Sequence, residues 1–280
     1  MRADGKRLRH TDPMYRVAAH IMDKRVDSMN MITIDIPYEP MQEYINKKRK
    51  DGIRVSHLAL VIAAYVRTMA EFPELNRFIV NKKVYTRNEI AVGMVVLKSG
   101  EDTNGTMSKM YFDKTNTIFD VNNIINKYVE ENRENPENNG TEKIIKFLLS
   151  VPGLLRVGVN VLKWLDKHGL LPKFVIDMSP FHMSVGITNL ASIRTNHIFH
   201  HCYEFGTTSV FMAMGNLREI PKRKGDEITF VRSMPIGVVM DERICSGSYF
   251  ASAFRSMKKY LANPELLELP PETVLEDQDK

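Results

Sequence analysis

The chain has 280 residues, 43% of them apolar and 26% charged, enough to pack a core in one large domain or two small ones. Its net charge of +5 is uneven: Arg2, Lys6, Arg7, Arg9, Arg16, Lys24 and Arg25 make the start basic, and PPETVLEDQDK makes the end acidic. No helix-turn-helix, zinc-finger or aromatic-basic pattern goes with these charges, which argues against nucleic acid and for solvated ends of opposite sign. The two cysteines, Cys202 and Cys245, give neither a disulfide framework nor zinc spacing. The N-terminus lacks the apolar core of a signal peptide, and Arg67, Arg156 and Lys163 interrupt the apolar stretches before one reaches spanning length. A reduced, cytoplasmic protein with no membrane span is the expectation.

Thr11 or Asp12 caps a helix that enters through Pro13 and runs to about Arg25. SMNMITIDIP alternates as a strand with one apolar face, and MQEYINKKRK is a short helix ending at Gly52. Ser56 caps HLALVIAAYVRTMAEF, apolar nearly all round and therefore buried, until Pro73 stops it. RFIVNKKVYTR predicts a hairpin turning at Asn81-Lys82, followed by strands in EIAVGMVVLKS and TMSKMYF. FDVNNIINKYVEEN is helical, and ENRENPENNG is a loop.

Residues 142–178 differ in character. Arg156, Asn160, Lys163 and Lys167 draw a narrow polar stripe along an otherwise apolar helix. Three readings stay open: a core-packing helix, an apolar wall for an acyl group, or attachment to a membrane surface. The last third is strand-rich, in HMSVGITNL, TTSVFMAMGNL and ITFVRSMPIGVVM, with a hairpin turn in PKRKGD and a closing helix, GSYFASAFRSMKKYL. The pattern argues for a mixed α/β sandwich.

In order along the chain, FPELNRFI, EIAVGMVV, VGITNLASI and MDERICSGSYFASAFRSMKKYLANPELL resemble segments of the catalytic domain of dihydrolipoyl acyltransferases, the 2-oxoacid dehydrogenase acyltransferases of the chloramphenicol acetyltransferase-like superfamily. The last resembles the closing D-H-R-x-x-D-G motif and its helix. The resemblance covers residues 13–268, between a basic arm (1–12) and an acidic tail (269–280), with 142–178 as an apolar helical insertion. It implies an α/β two-layer sandwich of a large mixed β-sheet and helices, a homotrimer with sites between subunits, a coenzyme A thioester as co-substrate and a small-molecule acyl acceptor. No lipoyl or subunit-binding segment precedes the domain, so no covalent lipoyl group is expected and a stand-alone enzyme is.

Carried over by the resemblance, Thr188 takes the place of the oxyanion donor, and Asp241, Arg243 and Gly247 keep their motif positions. Glu242 stands where the motif has its proton-accepting histidine, and Ser246 where it has Asp or Asn. A glutamate is the weaker base by about 3 kcal/mol, since its reference pKa is ~4.3 against ~6.5. Desolvation raises Glu to ~6–7 in enzymes, so Glu242 is a candidate base between subunits. Its alternative is a salt bridge, and the alternative for the whole chain is a catalytically degenerate trimeric binding or scaffold protein.

NHIFHHCYEFG supplies a second set of proton acceptors, His197, His200 and His201. On an extended strand His197 and His201 share one face and His200 the other. His201 or His200 is the candidate to take over the base's role. Alternation keeps these histidines, Cys202 and Glu204 from converging on one metal ion. His182 lines the channel or is a hydrogen-bonded structural histidine. Cys245 is a buried thiol before it is a nucleophile. Lys222, Arg223 and Lys224 fit either a coenzyme A phosphate or a solvated hairpin tip.

Overall fold

In a computed structural model the described residues are 2–97, 105–134, 149–150, 153–277 and 279. The end of strand EIAVGMVVLKS, most of the polar loop at 131–140 and positions 142–148 and 151–152 of the insertion lie outside them.

The core begins with one helix. Ser56 Oγ accepts from Ala59 N at 3.0 Å and starts α3 (His57–Glu71), in which every residue from Ala59 to Ala70 is buried. A helix buried on all sides needs neighbours on all sides. They are α2 (Tyr38–Lys50), α4 (Ile118–Glu134), α7 (Gly247–Ala262) and the main sheet. α7 contributes Phe250, Phe254, Met257 and Leu261, all buried at helical spacing. α1 spans Pro13–Ile21, capped by Asp12, which accepts from Met14 N. It ends four residues before the sequence expectation, because Arg25 is drawn into the interior as part of a 3-10 turn, Arg25–Ser28.

The sheet has seven strands in the order β2-β10-β8-β7-β5-β6, with β9 added on β10. They are β2 (Met29–Pro37), β5 (Ile90–Leu97), β6 (Gly105–Phe112), β7 (Val185–Asn189), β8 (Val210–Met214), β9 (Arg218–Lys224) and β10 (Glu227–Asp241). β7 is parallel to both β5 and β8, and the other pairings are antiparallel, so the sheet is mixed. β10 is long enough to pair β9 with its first half and β8 with its second. The turn in PKRKGD therefore shrinks to Gly225-Asp226. A second sheet, β1-β4-β3, joins β1 (Gly5–Arg7) to the hairpin of β3 (Arg77–Val80) and β4 (Lys83–Arg87). Asn81 and Lys82, at φ 49° and 60°, form the expected two-residue turn. This is the α/β two-layer arrangement that the sequence implied.

Most charges of the two ends are exposed, as Lys6, Arg7, Arg9, Arg16, Lys24, Glu272 and Glu276 are, but each end is docked through particular residues. Arg2 is buried, donating from Nε to Asp4 Oδ1 at 2.9 Å and from Nη2 to Asp166 Oδ1 at 2.6 Å. Asp166 belongs to α5 (Leu154–His168) and also lies 3.2 Å from His182 Nε2. At the other end, Arg77 holds Asp277 through two hydrogen bonds of 2.7 and 2.8 Å, and Leu275 N donates to Ala70 O at 2.8 Å.

Burial pushes the Asp166 carboxyl up, but His182 and Arg2 outweigh it and hold it at about 2. A carboxyl lowered on folding adds stability above its unfolded value, roughly pH 4, and loses that contribution as pH falls toward its folded value. Asp166→Asn should cost about 1–3 kcal/mol by urea unfolding at neutral pH, since it leaves Arg2 less well paired. The gap from the parent protein should close as pH is lowered from about 4 to about 2.

Candidate active site

The stretch Asp241–Gly247 starts at the end of β10, where the Asp241 carboxylate is fully buried. Arg243 folds back over it, donating from Nε to Oδ1 at 2.8 Å and from Nη2 to Oδ2 at 2.6 Å. Arg25 Nε approaches the same carboxylate at 3.8 Å. The two guanidiniums then tie in other segments. Arg243 donates to Met22 O, and Arg25 to the carbonyls of Ile79, Tyr203 and Glu204. A buried carboxylate held by two hydrogen bonds from Arg243, with the Arg25 guanidinium near by, fixes the local backbone.

Of the five residues Asp241–Cys245, four are buried and Glu242 alone is half-buried. Its N–H donates to Ser28 O at 2.9 Å, and its Oε2 accepts from Asn30 Nδ2 at 2.6 Å. Its partner is thus an amide on β2 rather than Arg243, whose charge Asp241 takes. Ser246 Oγ accepts from Tyr249 N at 3.2 Å and caps α7. The Cys245 thiol is fully buried and burial pushes its pKa up, the opposite of an activated nucleophile. Burial likewise raises Cys202, to about 12.

Thr188 sits near the end of β7, half-buried, and its hydroxyl makes no hydrogen bond among the described residues. It is in register with Ala213, which pairs with Gly237, which pairs with Thr33. From Thr188 to Glu242 is two strand spacings across and five residues along, on the order of 20 Å. One protomer does not bring the two together.

What lies over the Thr188 row is the histidine-rich segment. It crosses the sheet as an irregular chain, not a strand. Gly215 and Gly237 let it settle on the backbone: a Cβ at either would come within 2.2 Å of His197 N or Ile198 O. His197 Nε2 lies 3.0 Å from Thr33 Oγ1. The His200 ring stacks on Phe211 at 4.6 Å, and Phe211 pairs with Gly186, two residues before Thr188. His201 is exposed, its ring 4.9 Å from His200 and 4.7 Å from Tyr203. His200 and His201 therefore stack side by side, correcting the strand-like alternation, because no ladder holds this segment extended. The sequence reading passed over the contact between His197 and Thr33. Its signal was the pair of glycines in FMAMG and PIGVV, each inside an apolar strand.

The remaining candidates resolve simply. His182 is buried, with Nδ1 2.7 Å from Ser179 Oγ, a structural histidine. Lys222 and Arg223 are exposed on β9, and Arg223 donates to Gly225 O in its own hairpin. Among the described residues no three of His, Cys, Asp and Glu converge as a metal site, and no helix is long and apolar enough to cross a membrane. Neither the cavity of about 530 Å³ beside the C-terminal residues nor that of about 330 Å³ between α1 and α5 is lined by Glu242, Thr188 or His201.

Neither protein-family models nor curated proteins gave a match to this chain. Solved structures did. A probable dihydrolipoamide acetyltransferase from Listeria monocytogenes superposes with a TM-score of 0.57 at 13% identity, over 88% of this chain and 91% of that one. The cubic core of the pyruvate dehydrogenase multienzyme complex gives 0.60 at 10% identity, over 91% and 88%. A chloramphenicol acetyltransferase gives 0.58 at 10% identity, over 92% and 99%. Identity this low carries the architecture alone. The chain has the fold of the dihydrolipoamide acetyltransferase cores and of chloramphenicol acetyltransferase.

Proposed function

We propose that this protein is a coenzyme A-dependent acyltransferase whose site forms between two copies, Glu242 coming from one and Thr188 from the other, as a homotrimer of this fold provides. The observation that carries the reading is the selective display of Glu242. Asp241, Arg243, Ile244 and Cys245 are all sunk into the protein, and among these five neighbours Glu242, at the position that matches the motif's proton acceptor, alone is half-buried. The free hydroxyl of Thr188 supports the second role, since a donor with no partner of its own is available to a developing oxyanion.

In this reading Glu242 takes the proton from a thiol, amine or hydroxyl acceptor as that atom attacks the thioester carbonyl. Thr188 donates a hydrogen bond to the oxygen that becomes negative. When the carbon–sulfur bond breaks, Glu242 returns the proton to the departing coenzyme A sulfur. A thiol acceptor needs least help, because its own pKa is near ~8.5. His201 is exposed and unattached to the sheet. It is the alternative proton acceptor, and the same experiment tests it.

Two observations favour the degenerate scaffold as the second reading. Ser246 is occupied as a helix cap, and the Glu242 carboxylate is already bonded to Asn30.

With purified protein and a panel of acyl-coenzyme A donors and acceptors, Glu242→Gln should lower kcat/KM by about 10²–10⁴-fold. Glu242→His should keep turnover, with a pH limb near ~6.5. His201→Gln should leave the rate unchanged. A rate lost with His201→Gln and kept with Glu242→Gln moves the base to His201, and no turnover of any pair leaves the scaffold.

Thr188→Val should cost about 10²–10³-fold. Oligomers assembled from a mixture of Glu242→Gln and Thr188→Val chains should recover part of the parent rate, because some interfaces then receive both intact groups. No recovery in a mixture shown to have exchanged subunits would mean that the two residues do not meet across an interface.

A further inference from the structure

We propose that α5, with α1 beside it, seats the protein on a membrane surface carrying anionic headgroups. α5 leaves an apolar stripe uncovered. Val157, Val161 and Trp164 fall four and three residues apart on one stripe, and they are 60%, 50% and 55% exposed. A helix packed into the core would not show this, so the core-packing reading of the insertion is corrected. Where α5 meets the cavity of about 330 Å³, its lining residues are Lys163, Asp166 and Lys167 rather than the stripe. Leu170 and Phe174 carry the exposed apolar surface on toward α6 (Lys173–Met178).

Beside that stripe runs a second one, Arg156, Asn160, Lys163 and Lys167, all exposed. No carboxylate lies within ion-pair distance of Arg156, Lys163 or Lys167 among the described residues. The one acid of α5, Asp166, turns inward to Arg2 and His182. The outward polar face is thus wholly basic. Basic residues on one face, aliphatic residues and a tryptophan on the other, is the composition of a helix that lies in the plane of a lipid interface.

α1 repeats the arrangement. Met14, Val17 and Ile21, three and four residues apart, form an exposed stripe, with Arg16 and His20 next to it. The two helices flank the same cavity, α1 through Ala19, and at its edge Asp23, just beyond α1, pairs with Lys82 of the β3–β4 turn at 2.7 Å. A second copy of this chain is a poorer occupant. Pairing of this face with itself in a two-fold contact would set the same cations against each other, and in the head-to-tail contact of a trimer the lysines would count against it, since they are depleted from protein interface cores. Anionic headgroups complement the charge and acyl chains the stripe.

Trp164 is the single tryptophan of the chain, so the unaltered protein carries its own probe. Its emission is to be recorded with vesicles of phosphatidylcholine alone and of phosphatidylcholine mixed with phosphatidylglycerol, and binding measured by flotation. The expected result is a blue shift and protection from acrylamide with the mixed vesicles only, reversed at high ionic strength. Lys163→Gln with Lys167→Gln should lower partitioning on the order of tenfold or more. Val161→Asp should abolish flotation while circular dichroism shows an intact fold. Absence of a shift with mixed vesicles overturns the proposal, and because that measurement uses the parent protein it stands if a variant fails to fold. Equal, salt-insensitive binding to both vesicle types also overturns it. So does a shift that grows with protein concentration in the absence of lipid, which would mean that another copy covers the stripe.

Discussion

The Asp241 carboxylate, buried between Arg243 and Arg25, is the contact on which the rest of this site depends. Two guanidiniums around one carboxylate far from water are stable only together, and loss of one partner would strand charge in the interior. Their remaining donors reach Met22, Ile79, Tyr203 and Glu204. One ionic cluster thereby ties the end of β10 to the turn after α1, the β3–β4 hairpin and the histidine-rich segment. The consequence for chemistry is indirect but strong: none of these groups faces solvent, yet they determine which neighbour does.

That neighbour is Glu242. A carboxylate is the weaker base in water, so what matters is less its identity than what encloses it. Within one protomer it is half-buried and bonded to Asn30. Thr188 belongs to a different part of the sheet, in a row ending at Thr33. Over that row lies an imidazole, His197, held by the fold rather than by chance. The sheet therefore offers proton-accepting groups on two sides, one fixed by the ionic cluster and one by glycines, and the reading adopted above turns on how copies of the chain meet.

Local signals wrote the scaffold plainly. Ser56 before an all-apolar run became α3, and Asn81-Lys82 became the hairpin turn. Where tertiary contacts overrode local preference, the sequence was less legible. α1 stops early because Arg25 is pulled toward Asp241. β1 was hidden in a basic stretch, since a strand of three residues paired with the distant β4 leaves no local pattern. Arg2 and Asp277 could not be told from the solvated charges around them because their partners, Asp166 and Arg77, are distant in sequence. Motif order singled out Glu242 and Thr188 as candidates but said nothing of their separation. The stacked rings of His200 and His201 were illegible for the same reason: an unpaired chain has no period from which to read a face.

Gly215 and Gly237 carry a consequence of their own. The segment bearing His197 rests directly on these two positions, with no room for a single methyl group at either. Small changes in the floor of the sheet would lift a whole strap of imidazoles and aromatic rings, although none of them had been altered. Sequence drift at two silent-looking backbone sites is thus a route by which this architecture gains or loses an acid–base group without touching any residue that performs proton transfer.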